Sequence, residues 1–296
     1  MIRRLGTYVL GSYPPLLSVT FATCWAVGVT GLFAVVDPNP GSWHPDAGTA
    51  VAVVTLMVNL LLMRVIDDIR DLDYDRVHSP DRPLPRGVVT PAELLGLYAV
   101  GCAAIVALNL GRGPALALVA GQLAYALLVL AAHHRLGWPD GDDVPLTLLI
   151  SCPAQILLHL YLYAGYLDSA GHPADGSVWT AVAVCVLAAL HLELAKKTVR
   201  APRPGERTYV TLIGLPATLT LTVLTPLAAA ALVLAAARPW TWWTLLVLAP
   251  LALPLTALRR FRDPAANRWQ ARYSAYYLLL AYSGFAVVAA LTGLTG

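Results

Sequence analysis

Nine long apolar stretches, at about 12–36, 47–66, 91–111, 114–134, 144–167, 177–195, 209–236, 240–258 and 273–294, constrain this chain more than any other feature. A helix needs roughly 20 apolar residues to cross the hydrocarbon core of a bilayer. Lipid offers no partner to an open backbone amide, so segments of this length and polarity are expected as membrane-spanning helices. The composition agrees: 58% of the residues are hydrophobic and 12% charged, against about 25% charged in soluble domains. The sequence therefore reads as one all-α polytopic membrane domain over residues 1–296.

Charge placement orients the spans. An N-terminus on the inside puts the C-terminus outside and five polar segments on the cytoplasmic face. Of the 20 basic residues, only Arg112 and Arg238 then fall on the other side, a strong positive-inside bias. The expected localisation is a cytoplasmic membrane of bacterial type. The start, Met-Ile-Arg-Arg running into an apolar stretch, reads as a retained first helix rather than a cleaved signal. The net charge of +3 follows topology and forms no nucleic-acid-binding stripe.

Prolines punctuate the spans. Pro14, Pro15, Pro91, Pro114 and Pro145 lie near helix starts, where a missing N–H is harmless. Pro216, Pro226, Pro250 and Pro254 lie inside spans seven and eight and are expected to kink them. Cys24, Cys102, Cys152 and Cys185 fall in four different spans and read as packing thiols, without metal or redox spacing. Trp240, Trp242 and Trp243 read as an interfacial belt. Asn59, Gln122, Gln155, His159 and His191 are polar residues within spans, suited either to interhelical hydrogen bonds or to a cavity wall.

The chemistry concentrates at the end of span two, in Asp67-Asp68-Ile69-Arg70-Asp71-Leu72-Asp73-Tyr74-Asp75-Arg76. Such acids are costly near a membrane and repel one another unless something neutralises them. If span two continues as helix to Asp75, then Asp67, Asp71 and Asp75 recur every four residues, with Asp68 on the same side. Several carboxylates on one face suit Mg²⁺ carrying a phosphate-bearing substrate. An extended, proline-stiffened loop follows, His78-Ser-Pro-Asp-Arg82-Pro-Leu-Pro-Arg86-Gly87, in which Arg82 and Arg86 offer planar donors for phosphate oxygens. A second charged loop follows span six, with Glu193 and Lys197 at i and i+4, then Arg200, Arg203, Glu206 and Arg207. Glu193 could bind metal while Lys197 and Arg200 hold diphosphate, or Glu193 and Lys197 could form a plain ion pair.

The segment Arg64-Val-Ile-Asp67-Asp-Ile-Arg-Asp71-Leu-Asp-Tyr-Asp75, with the trailing Arg82-Pro-Leu-Pro-Arg86-Gly87, resembles the first motif of the UbiA superfamily of intramembrane prenyltransferases, Asn-x-x-x-Asp-x-x-x-Asp followed by Arg-Pro-Leu-Pro-x-Gly. Span count and orientation match too. The resemblance implies nine transmembrane helices around a central cavity open to the cytoplasmic side. It implies a Mg²⁺-dependent transfer of a prenyl group from a prenyl diphosphate to an aromatic or other lipophilic acceptor. Asp67, Asp68, Asp71, Asp75 and Glu193 are the expected metal ligands. Arg82, Arg86, Lys197, Arg200 and Tyr125 are expected at the diphosphate, and Asp67, Asp71, Asp75, Glu193 and Lys197 carry the catalytic role. Two departures stand out: Asp67 replaces the asparagine, and the second loop lacks the family's aspartate pair. Asp67-Asp68-x-x-Asp71 also spells the DDxxD pattern of terpene synthases, so cyclisation of the prenyl diphosphate is the alternative reaction. A permease is disfavoured because the charges gather at one face.

Overall fold

The computed structural model describes residues 2–39, 43–139 and 143–295. Among them are eleven α-helices: α1 Ile2–Ser12, α2 Pro15–Val36, α3 Ala47–Arg70, α4 Leu72–His78, α5 Pro91–Leu108, α6 Gly113–Leu136, α7 Val144–Ala170, α8 Ser177–Lys196, α9 Val210–Ala236, α10 Ala252–Phe261 and α11 Ala271–Thr295. A 3₁₀ segment, Trp242–Leu251, leads directly into α10. Nine of the described helical segments are long and apolar enough to cross a membrane, with the 3₁₀ segment and α10 counted as one. Their ends lie within a few residues of the expected ones, and the protein is an all-α integral membrane protein.

Local chemistry sets several ends. Thr90 caps α5: its hydroxyl accepts from the Glu93 amide, the Glu93 carboxylate accepts from the Thr90 amide, and Pro91 occupies the first turn. Gly137, at φ 63°, closes α6. The expected disruption of span seven falls at Gly214, whose φ of 79° and ψ of 160° break α9 two residues before Pro216. Pro216 offers no N–H to the turn before it and its ring clashes with a helical carbonyl there, and glycine is the residue that tolerates the open backbone at 214.

Two features depart from the sequence reading. The first stretch does not start at 12. A separate helix, α1, precedes it, and Pro14-Pro15 begins the spanning helix afresh. Helix α3 also stops at Arg70, and α4 restarts at Leu72 after a single-residue break at Asp71. The backbone still carries Asp71 N–H to the Asp67 carbonyl (2.9 Å) and Asp75 N–H to the Asp71 carbonyl (2.8 Å).

The chain sorts into two compact units, Met1–Ala26 with Ala47–Tyr161 and Val27–Asp46 with Leu162–Gly296. In the first, buried amides stitch helices together. Asn59 donates to Gln122 (2.5 Å), Asn109 donates to Thr55 (2.9 Å), and the Tyr161 hydroxyl donates to Asn109 (3.0 Å). His159 donates from Nδ1 to the Gln155 carbonyl (2.7 Å) and accepts at Nε2 from Trp25 (3.3 Å). Asn59, Gln122 and His159 are thus engaged in bonds inside the unit. The second unit contains a close helix crossing. A Cβ at Gly28 would overlap the Tyr282 backbone, and one at Gly31 would stand 2.8 Å from the Ala286 Cα. Small residues let α2 and α11 approach backbone to backbone.

Candidate functional site

The first unit carries the acidic segment. It does not form a uniform row of carboxylates, because the break at Asp71 and the neighbouring arginines sort them into two sets. Asp67 and Asp71 share Arg70, at 3.1 and 3.2 Å. Asp68 and Asp75 are buried, 4% and 3% exposed, where an uncompensated carboxylate would be strongly destabilising. Arg64 stands 2.7 Å from Asp68 Oδ1, and the Tyr8 hydroxyl of α1 donates to Asp68 Oδ2 at 2.9 Å. Arg82 pairs closely with Asp75 and reaches Asp68 at 4.0 Å. Asp73 faces outward with Arg76 (2.7 Å).

The loop after α4 is not extended as its prolines suggested. Turn hydrogen bonds coil it: Arg82 N–H to Ser79 (3.1 Å), Arg86 N–H to Arg82 (3.1 Å), Gly87 N–H to Leu84 (3.0 Å) and Val88 N–H to Pro83 (2.9 Å). Leu84 is buried beneath it and Gly87 takes a φ of 73°, so the coil bends Arg82 back onto Asp75 while Arg86 stays exposed. Tyr125, expected at the diphosphate, donates its hydroxyl to the Ile150 carbonyl (2.7 Å), linking α6 to α7.

The second unit carries the loop after α8. Glu193 and Lys197 form the i, i+4 ion pair at 2.8 Å, both partly exposed, and the Lys197 ammonium lies 5.5 Å from the Tyr209 ring centre. Arg200 takes a part different from the expected one. Its guanidinium donates to the carbonyls of Phe261 (2.7 Å) and Ala266 (3.3 Å) and lies 4.8 Å over the Phe261 ring. Its backbone N–H donates to Asn267 (2.7 Å), and Trp269 N–H donates to Thr198 (3.1 Å). Arg200 thereby latches this loop to the segment after α10. Glu206 pairs with Arg268 and accepts from the Arg203 amide (2.9 Å). Burial opposes its charge, but that amide and Arg268 outweigh burial and hold the carboxyl below its ordinary range.

His191, fully buried on α8, donates from Nδ1 to the Thr222 carbonyl (2.7 Å) and sits edge-on to Tyr277 and Trp269. It packs inside its unit.

Among the described residues, no three His, Cys, Asp or Glu side chains already surround one point as a metal site. The donor chemistry of the acidic segment nevertheless suits Mg²⁺, which prefers carboxylate oxygen and keeps several waters. Asp67 is the most open candidate, with half of its side chain exposed beside Asp71. The residue that sequence reasoning missed is Tyr8. Its only forward signal is the short Arg3-Arg4-Leu5-Gly6-Thr7-Tyr8 run set apart by Pro14-Pro15. Nothing local couples it to an aspartate sixty positions away.

No family model matches the chain. It is 26% identical over 239 residues to the digeranylgeranylglyceryl phosphate synthases of two Halobacterium salinarum strains, covering 77% of this chain and 81% of those proteins. A solved structure, described as giving structural and mechanistic insights into the biosynthesis of digeranylgeranylglyceryl phosphate synthase in membranes, superposes with a TM-score of 0.61 at 17% identity. That superposition covers 98% of this chain and 99% of the other.

Proposed function

We propose that this chain, a UbiA-like membrane prenyltransferase in fold and relatedness, ionises a prenyl diphosphate at its acidic segment and passes the prenyl group to a lipophilic acceptor. The observation that carries this reading is the interleaving of Asp67, Asp68, Asp71 and Asp75 with Arg64, Arg70 and Arg82 at the end of a membrane helix. Four carboxylates against three guanidiniums leave this network one formal negative charge in excess at rest. It can also re-pair when a cation and a polyanion arrive together.

Asp67 and Asp71 are the residues assigned to hold Mg²⁺, with Asp68 and Asp75 as the further carboxylates of the segment; Glu193 is assigned to metal from its place in the second loop. When bound, the metal would neutralise diphosphate oxygens and make pyrophosphate a better leaving group. Arg82 and Arg86 supply planar donors to the diphosphate, and Lys197 of the second loop is assigned as a point charge for phosphate. Cleavage of the allylic C–O bond leaves its electron pair on pyrophosphate, where these cations stabilise the developing charge. Apolar helix faces shield the allylic cation from water. The acceptor's electron pair then forms the new bond, and a proton is lost from the acceptor.

With the N-terminus inside, the acidic segment faces the cytoplasm, where soluble Mg²⁺ and prenyl diphosphate meet. The name of the Halobacterium proteins directs the first acceptor trial to a geranylgeranylglyceryl phosphate, and aromatic acceptors complete the panel.

The deciding experiment supplies purified protein with Mg²⁺ and geranyl, farnesyl or geranylgeranyl diphosphate, with and without acceptor. Pyrophosphate is measured and the organic products are weighed by mass spectrometry. Asp71-dependent release that requires acceptor and adds one prenyl mass supports transfer. Release without acceptor, yielding a cyclic hydrocarbon or alcohol, would replace transfer with cyclisation, the reaction favoured by Asp67-Asp68-x-x-Asp71. No release from folded protein with any donor or acceptor would overturn both.

A further inference from the structure

Helix α1 lies outside the membrane-spanning set, and its role is not apparent from the spans. It is two-faced: Ile2 and Leu10 are exposed, whereas Tyr8 is completely buried. Four contacts fasten it and the turn after it to the rest of the first unit. Arg4 pairs with Glu93 in the first turn of α5. Tyr8 donates to Asp68 near the end of α3. Gly11 approaches the Pro83 ring so closely that a Cβ there would stand 3.3 Å from it. The Tyr13 hydroxyl donates to the Met57 carbonyl (2.6 Å). Helix α1 is therefore a strap across the elements that carry the acidic segment and its arginine loop.

The Tyr8 bond matters most, because of what Asp68 does next. With Oδ2 held by the phenol, Oδ1 faces Arg64 at 2.7 Å and Arg82 at 4.0 Å, the latter at the outer limit of an ion pair. Arg82 in turn pairs with Asp75. The Tyr8 hydroxyl and Arg64 thus hold the two oxygens of a buried carboxylate that Arg82 also approaches. A carboxylate without that donor would rotate and carry the arginines with it. Bidentate recognition of phosphate depends on guanidinium geometry, so this displacement would be felt in substrate binding.

We propose that Tyr8 is a positioning residue for the diphosphate site: through Asp68 it sets Arg82. This rests on the prenyl-diphosphate reading above. The test is steady-state pyrophosphate release with geranylgeranyl diphosphate as the varied substrate, Mg²⁺ in excess, and the acceptor that supports wild-type turnover.

Tyr8→Phe keeps the ring and removes only the hydroxyl. It should raise KM about ten-fold, the scale of one hydrogen bond to a charged group, while kcat stays within about two-fold. Arg4→Ala loosens the same strap without touching Asp68 and should leave KM unchanged. In an Arg82→Ala background, Tyr8→Phe should add no further rise in KM, because its effect runs through Arg82. If Tyr8→Phe does not fold, 3-fluorotyrosine at position 8 carries the test: it keeps the ring and changes only the strength of the hydroxyl bond to Asp68, and should shift KM with kcat unchanged.

Unchanged KM in an active Tyr8→Phe protein overturns the inference alone. So does an equal rise with Arg4→Ala, or full additivity with Arg82→Ala. Silence of the wild type with every donor overturns the prenyl-diphosphate reading and this inference together.

Discussion

The loops after α4 and α8 share a vocabulary of arginine, proline and acid, yet they use their arginines in opposite ways. After α4, Arg82 meets side-chain carboxylates, Asp75 and Asp68. After α8, Arg200 meets backbone carbonyls, those of Phe261 and Ala266. A guanidinium held by carboxylates can exchange partners when a phosphate arrives, since the carboxylates can turn to a metal. A guanidinium held by carbonyls has nothing to hand those carbonyls to, so withdrawing it leaves the loop unlatched. The first arrangement suits chemistry and the second suits architecture.

The largest expected effect tests the first arrangement. Asp71→Ala should lower pyrophosphate release by about 10²-fold or more, by analogy with the loss of a group that stabilises transition-state charge. Its thermal unfolding should stay close to that of the wild type. Activity that survives this change would shift the site away from the break between α3 and α4.

Glu193 tests whether the second loop is purely architectural. Glu193→Gln should reduce release about ten-fold, while stability moves by no more than about 0.5 kcal/mol, the worth of an exposed i, i+4 pair. Unchanged release would leave Glu193 and Lys197 as an ion pair and nothing more, sharpening the contrast between the loops.

Arg200→Ala should cost about 1–2 kcal/mol of stability, with KM for the prenyl diphosphate unaltered, because its charge-assisted bonds run to carbonyls. The measurement is chemical or thermal unfolding in detergent alongside substrate titration. A raised KM in a fully stable variant would return Arg200 to the diphosphate.

The smallest effect is on pH. Glu206 has its folded pKa held below the unfolded one. Its contribution is therefore complete above the ordinary glutamate range, near 4.3, and disappears as pH falls through the lower folded value. Unfolding midpoints followed from about pH 6 to 3 should drop less steeply in Glu206→Gln than in the wild type.

The spans were legible because length and apolarity leave little choice of conformation in lipid, and the placement of Pro15, Pro91 and Pro114 marked their starts. Helix α1 was not legible: eleven residues with Arg3 and Arg4 fall below spanning length and stand out only once they have something to pack on. The acidic segment was legible as a cluster of carboxylates at a helix end, but not its sorting into Asp67 with Asp71 and Asp68 with Asp75. That sorting depends on a one-residue break and on arginines whose choice of partner is tertiary. The same limit applies to Arg200, whose type suggested phosphate while its partners lie more than sixty residues along the chain.

The glycine contact between α2 and α11 carries a consequence for spectroscopy. With no side chain between the Gly28 backbone and that of Tyr282, the C-terminal part of α2 has little room to slide or roll against α11. Paired spin labels on the lipid-facing sides of these two stretches should therefore report one narrow distance, whatever substrate is added. Such a pair would serve as an internal ruler against which movement elsewhere in the protein can be scaled.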